Sequence, residues 1–417
     1  MSDGNGRRAV VVTGARTPFV KAFGDFTTMD TIALGAAASR GALAKAGLGV
    51  RDVDAVVWGG VILPSGSPNV GREIALDLRL DPRAEAMTVT RACASGLQAI
   101  TLAAAAIERG EADVVLCGGS DSTSNAEIKL PQKVVHALAP LALGKPTTAD
   151  YLAVLSQLWP ITDLLPRQPK IAERSTGEVM GQAAERMATR NEVTRAAQDA
   201  FALRSHQRAA AAIAGGLFDD EVVEVTTPEG KAVRADGLVR GDTSLEKLGK
   251  LRAAFAKDGT LTAGNSSALT AALGLRPKAA LRSWAYVGVD PAEQLLIGPA
   301  LAMPLALERA GLSLADIDLV DLHEAFAAQV LSVLKMLGSE AFARARLGRD
   351  AAVGVVPDER LNVHGGSLAL GHPFGATGAR MVTTMANELA RTGKKTALLG
   401  ICAAGGLGAA AVLERVD

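Results

Sequence analysis

The chain has 417 residues, 48% of them apolar, enough for two or three packed domains. Its 44 Lys and Arg balance 44 Asp and Glu, which argues against nucleic acid as the main partner and leaves room only for a local basic patch, such as one for a phosphorylated cofactor. Aromatics are 3% against 44 glycines, a composition suited to close backbone packing and buried helices rather than to stacking platforms.

The first residues, MSDGNGRRAVVVTGART, carry an apolar run of only AVVV. That is too short for a signal sequence and reads as a first strand. No stretch of 18 uncharged apolar residues suggests a membrane span, and the final AAAVLERVD carries no peroxisomal tripeptide. Cys93, Cys117 and Cys402 are far apart, so they form neither a disulfide framework nor a metal-ligand spacing. A reducing, cytoplasmic setting is expected.

Residues 42–58 read ALAKAGLGVRDVDAVVW, and residues 306–322 read ALERAGLSLADIDLVDL; eight of the 17 positions are identical at a constant offset of 264. Each copy predicts a helix ending at glycine (Gly47, Gly311), a turn and a strand. Further along each half come a strand, a Gly-rich turn, an amphipathic helix and a buried strand. Alternating strands and helices predict parallel or mixed sheets covered by helices, so the chain reads as a duplicated α/β protein.

Residues 91–98, RACASGLQ, place Cys93 just before a helix with apolar positions Leu97, Ile100, Ala104 and Ile107 and a stop at Gly110. A helix N-terminus lowers a thiol's pKa and favours thiolate. Taken alone, Cys93 reads more readily as a small buried residue than as a nucleophile. Residues 124–263 differ from both halves. The stretch 128–166 is apolar and proline-punctuated, and Leu130, Val134, Val135, Leu138, Leu152, Leu155, Leu158 and Trp159 need burial somewhere. Residues 174–215 read as a solvated helical layer. This region is expected to cover a site or meet a partner.

Three loops of the second half supply the chemistry. HEAFAAQ (323–329) places His323 at a strand-to-helix junction, GHP (371–373) sets His372 in a tight turn, and GICAAGG (400–406) puts Cys402 at a strand end. Two cysteines and two histidines on four loops suggest thiol acid–base chemistry. A zinc site is the competing reading, opposed by the absence of closely spaced ligands; no metal is expected.

Taken in order, RACASGLQA, TAGNSS, HEAFAAQ, NVHGGSLALGHPFGATGAR and CAAGGLGAAAVLE resemble the thiolase family over nearly the whole chain. HEAF in place of the more common NEAF is similar to the β subunits of fatty-acid oxidation (trifunctional) complexes. The resemblance implies a five-layer αβαβα thiolase-like fold with an inserted loop domain. Residues 1–123 plus about 264–275 would form the N-terminal half, 124–263 the loop domain and 276–417 the C-terminal half. It implies Cys93 as the acylated nucleophile, His372 as its base and Cys402 as the acid/base for the acetyl-CoA carbanion. His323 would help bind the thioester oxygen. The oxyanion hole would draw on Cys93, Ala404, His323 and His372, and Ser267 would sit beside the pantetheine.

The implied reaction is thiolysis of medium- or long-chain 3-ketoacyl-CoA. Coenzyme A is a co-substrate, and no permanently bound cofactor is expected. Implied partners are a second copy, as a dimer or dimer of dimers, and a hydratase/dehydrogenase α subunit or a membrane surface met through 128–166. The alternatives are a short-chain acetoacetyl-CoA thiolase and a non-catalytic acyl-CoA-binding or scaffold subunit. A decarboxylating ketoacyl synthase is opposed by Cys402 and the GHP loop.

The chain departs from the family pattern after Thr270, where about 12–18 residues are missing, a strand plus a few helical turns. The N-terminal half's final strand is therefore expected to be shortened or missing, with an exposed sheet edge or repacking as the result. Of the remaining residues, His136 and His206 read as partly exposed helix residues, Cys117 as a buried strand end, and His364 as loop packing or pocket lining.

Overall fold

In the computed structural model, residues 7–128, 130–157, 172–268 and 276–416 are described. They form two compact units, one made of the chain up to Asn125 together with everything from Glu173 onward, the other of Ala126–Ala172.

In the larger unit the chain runs through β1 (Val10–Thr13), α1 (Thr31–Ala46), β2 (Ala55–Gly59), α2 (Val70–Asp77), β3 (Glu85–Val89), α3 (Ser95–Glu108) and β4 (Val115–Gly119). The Asp30 carboxylate accepts the Ala33 N–H to start α1, and Gly47, at φ 68°, ends it. In the small unit, α4 (Gln132–Leu143) and α5 (Thr148–Gln157) bury Val134, Ala137 and Val154. Leu130, Val135, Leu138 and Leu152 are exposed there, contrary to their expected burial. The Leu155 side chain, Leu158 and Trp159 lie outside the described residues.

The larger unit resumes with α6 (Met180–Arg190), α7 (Arg195–Ala214), the short β5 (Val225–Thr226) and β6 (Ala232–Val233), and α8 (Leu245–Gly249). The second half follows as β7 (Arg276–Gly288), α9 (Pro291–Gln294), α10 (Pro299–Ala310), β8 (Leu319–Leu322), α11 (Ala327–Leu337), α12 (Glu340–Phe342), α13 (Ser367–Leu370), α14 (Thr377–Thr392), β9 (Thr396–Ala403) and β10 (Leu407–Arg415). Pro299 opens α10, and Gly311, at φ 66°, closes it as Gly47 closes α1. The 264-residue sequence offset thus reappears as matching helices, matching left-handed caps and matching strands β2 and β8.

The sheets show where the halves differ. β3, β2 and β4 form a parallel three-stranded sheet. The other large sheet runs β1–β7–β10–β9–β8, with β10 antiparallel to both of its neighbours. β1 of the first half pairs antiparallel with β7 of the second. Among the described residues no strand lies between β1 and β4. Among those residues β1 and β4 each end a sheet, with one edge that has no strand neighbour. Residues 269–275, which follow the point where a shortened strand is expected, lie outside the described residues.

Two large cores lie in the larger unit, beside smaller apolar clusters. One packs α6, α7, α10 and α11 against the second half's sheet. The other packs α3 and α14 onto β7, β9 and β10. α3 and α14 approach closely because their first turns carry glycine. A Cβ on Gly378 would lie 2.5 Å from the Leu97 nitrogen, and one on Gly96 would lie 2.4 Å from the Gly375 oxygen. Leu97, fully buried at this contact, is expected to cost about 3 kcal/mol when changed to Ala, read as a lowered urea midpoint.

Candidate active site

Cys93 lies in the short connection between β3 and α3. The preceding Ala92 has φ 45°, an uncommon backbone for alanine that turns the loop sharply. Ser95 fixes this shape: its Oγ accepts the Arg91 N–H at 2.8 Å and donates to the Ala92 carbonyl at 2.6 Å. His372 follows α13 through Gly371, at φ 105°, a conformation that favours glycine. Its ring is held by Thr377, with Nδ1 to Oγ1 at 2.7 Å. Nε2 then faces Cys93 Sγ at 3.1 Å. With Nδ1–H donating to Thr377, Nε2 is free to accept the thiol proton.

Ala404, in the turn between β9 and β10, directs its N–H at the Cys93 thiol, as does the N–H of Cys93 itself. Cys402, at the end of β9, is fully buried. Burial and then the neighbouring Cys93 push the Cys402 thiol well above its ordinary value, so it keeps its proton. His323 leaves β8 fully buried, with Nδ1 3.0 Å from Ser367 Oγ and no partner for Nε2. Its ring centroid is 4.3 Å from that of His372. The donor atoms of Cys93, His323 and His372 all lie within 4.8 Å of one another, a spacing that is also compatible with a metal ion. Ser267 is on an adjoining loop, where its N–H and Oγ both bond the Ala325 carbonyl, at 3.1 and 3.0 Å.

Burial sets the charge state. It pushes Cys93 up to about 12, outweighing the two backbone N–H groups that favour thiolate. The helix-terminus effect expected from the sequence is therefore overridden by desolvation. Burial, with the Arg380 charge, pushes His372 down to about 3. The resting pair is neutral thiol and neutral imidazole.

Sequence reasoning did not assign roles to several supporting residues. Buried Glu324 of HEAF accepts from Ser205 at 2.6 Å, Asn362 at 2.7 Å and the Leu368 N–H at 3.1 Å, joining the His323 loop to the His372 loop. Asp121 accepts from the N–H groups of Val61, Ile62 and Gly375, at 2.9, 2.5 and 2.7 Å. It ties the first half to the turn after His372. Glu324 lies inside the HEAFAAQ motif and Asp121 just beyond β4, but the side chains and backbone N–H groups they bond are far away in sequence. His364 pairs with Glu388 at 2.9 Å, apart from the thiol. His206 is buried rather than partly exposed, and its Nδ1 accepts the Arg240 N–H. His136 is exposed on α4.

With this geometry in hand, the comparisons with known proteins decide the family. Residues 9–273 match the family model "Thiolase, N-terminal domain", and residues 275–415 match "Thiolase, C-terminal domain". The chain belongs to the thiolase family. It is 42% identical over 425 residues to a 3-ketoacyl-CoA thiolase of Yersinia enterocolitica, covering 98% of this chain and 97% of that one. A solved structure of human mitochondrial 3-ketoacyl-CoA thiolase superposes with a TM-score of 0.81 at 31% identity, covering 99% of each chain. One of a Bacillus anthracis acetyl-CoA acetyltransferase superposes with a TM-score of 0.82 at 31% identity, covering 98% of this chain and 99% of that one. As a thiolase the chain is an acyltransferase, with the mixed α/β thiolase fold expected from its sequence.

Asp121 gives a test of how the His372 turn is held. Burial pushes this carboxyl up to about 7. A raised carboxyl stabilises the fold below its unfolded pKa, and that stability is lost as pH rises toward 7. Asp121→Asn places an amide N–H against the Gly375 N–H and is expected to lower stability by about 1–3 kcal/mol. The deficit should shrink as pH rises from 4 to 7, as read from thermal midpoints across that range. A deficit that does not shrink over this range would show that Asp121 is held as a carboxylate.

Proposed function

We propose that the chain catalyses the 3-ketoacyl-CoA thiolase reaction, thiolytic cleavage of 3-ketoacyl-CoA to acetyl-CoA and a shortened acyl-CoA. The observation that carries this reading is the Cys93 Sγ–His372 Nε2 contact of 3.1 Å, with the Ala404 N–H and Cys402 at the same thiol. His372 takes the Cys93 proton as sulfur bonds to C3 of the substrate. The C3 oxyanion is met by the N–H groups of Cys93 and Ala404. The C2–C3 bond breaks, and its electron pair passes to C2 as an enolate on the acetyl-CoA thioester. That enolate oxygen is met by Nε2–H of His323, set by Ser367 donating to Nδ1, and by the newly protonated His372. Cys402 gives its proton to C2 and releases acetyl-CoA. It then takes the thiol proton of an incoming coenzyme A, whose sulfur attacks the acyl-Cys93 thioester. Cys93 departs with the proton held on His372.

The finer features belong to the same proposal. Ser267 sits beside the pantetheine, and residues 1–123 with about 264–275, 124–263 and 276–417 act as first half, loop domain and second half. The substrates are medium or long chains in fatty-acid degradation, in the cytoplasm, by a dimer or dimer of dimers. Apolar side chains exposed at Ile128 (71%) and Leu152 (64%) support docking of the small unit on a hydratase/dehydrogenase α subunit or a membrane surface. No helix among the described residues is long and apolar enough to cross a membrane. Likeness to an acetyl-CoA acetyltransferase favours a second reading, acetoacetyl-CoA thiolase chemistry.

Thiolysis of 3-ketoacyl-CoAs of increasing chain length, from acetoacetyl-CoA upward, separates these readings. Activity rising with length is expected. Activity confined to acetoacetyl-CoA would establish the second reading. Cys93→Ala should abolish turnover, and His372→Ala should lower kcat about 10³-fold. Activity that survives in Cys93→Ala, or is lost on dialysis against a chelator, would contradict the thiol mechanism. A folded chain without any turnover would favour a binding or scaffold subunit.

A further inference from the structure

The duplication exposes an unfilled position. β7, β8 and β9 of the second half correspond to β1, β2 and β4 of the first. In the second half β10 lies between β7 and β9, antiparallel to both, and α10 and α14 pack against it. The first half has no such strand among its described residues. Where it would lie there is a cavity of about 430 Å³ between β1 and β4, flanked by α1 and α3.

The walls of this cavity are those of a strand slot. Its lining includes Val11, Leu43, Ala104, Ile107, Val115 and Cys117. Val10 and Val12 of β1 are 41% and 53% exposed, so this edge strand shows apolar side chains to solvent. Ser39 of α1 also lines the cavity; it is 1% exposed, and its Oγ has no hydrogen-bond partner. A buried hydroxyl left unpaired is costly and marks a missing partner. The charges at the mouth are already matched, Arg7 with Asp113 and Arg8 with Glu414. An occupant is therefore selected by backbone pairing and small apolar side chains, not by charge.

We infer that this slot is a β-augmentation site that receives, from a partner polypeptide, an extended strand of small apolar residues running antiparallel to β1 and β4. The five residues of β4 set the paired length, about 17 Å at strand rise. The strand's N–H and C=O groups would pair with the two open edges, and its side chains would fill the space between α1 and α3. The chain's own answer to the same problem is Leu407–Arg415, LGAAAVLER, in which Gly408 is followed by three alanines that reach the centre. This inference does not depend on the reaction catalysed.

The test uses the full chain and the capped synthetic peptide LGAAAVLER, beside the same peptide with its central alanine replaced by proline. Hydrogen exchange is followed at Val10–Thr13 and Val115–Gly119. In the protein alone, the amides of these strands that do not face β7 or β2 should exchange fast. At ten times its Kd, the peptide should slow them about tenfold, and at about a hundred times its Kd it should raise Tm by about 3 °C; the proline peptide should do neither. Three outcomes would overturn the inference. One is edge amides already protected in the protein alone, which would mean that the chain or a second copy closes the slot. The others are edge amides unchanged by the peptide, and equal protection by both peptides.

Discussion

The contact between Cys93 and His372 joins residues 279 positions apart, and the rest of the site is arranged around it. Neither residue is placed by its own loop alone. Gly96 and Gly375 bring the first turns of the two halves closer than any side chain would allow, and Gly378 repeats this against Leu97. Thr377, at the start of α14, sets the imidazole, and Ser95, at the start of α3, sets the thiol loop. Duplicating the fold thus gives two helix starts facing each other, one carrying the nucleophile and the other positioning the base.

Desolvation is the second constraint. It raises Cys93 and Cys402 and lowers the two histidines, so the resting site is uncharged. A neutral site admits a neutral ketone without opposing charge. The proton moves only as sulfur–carbon bonding creates the oxyanion that the backbone N–H groups meet. The second cysteine can act as an acid because its environment keeps it protonated.

Much of this was legible in the sequence. The repeat predicted two matching helix–turn–strand units, and Gly47 and Gly311 proved to be left-handed caps of equal geometry. Loops carrying Cys93, His323, His372 and Cys402 stood out because glycine and small residues surround a reactive side chain. What stayed hidden was non-local. Asp121 acts through backbone N–H groups of Val61, Ile62 and Gly375, and Glu324 through Ser205, Asn362 and Leu368, so no local pattern reveals either. The direction of the Cys93 shift differs from the sequence expectation because a helix terminus is visible in sequence and desolvation is not. His206 was misplaced because α7 has apolar and polar residues around most of its circumference and gives little sign of which side is covered.

The central claim is that Cys93 becomes acylated with His372 as its base. The most direct measurement is intact and peptide mass spectrometry after mixing the protein with a 3-ketoacyl-CoA and no free coenzyme A. The account predicts an acyl mass on the peptide containing Cys93, discharged by added coenzyme A and formed far more slowly in His372→Ala. No added mass, or an acyl group on Cys117 or Cys402 instead, would contradict it.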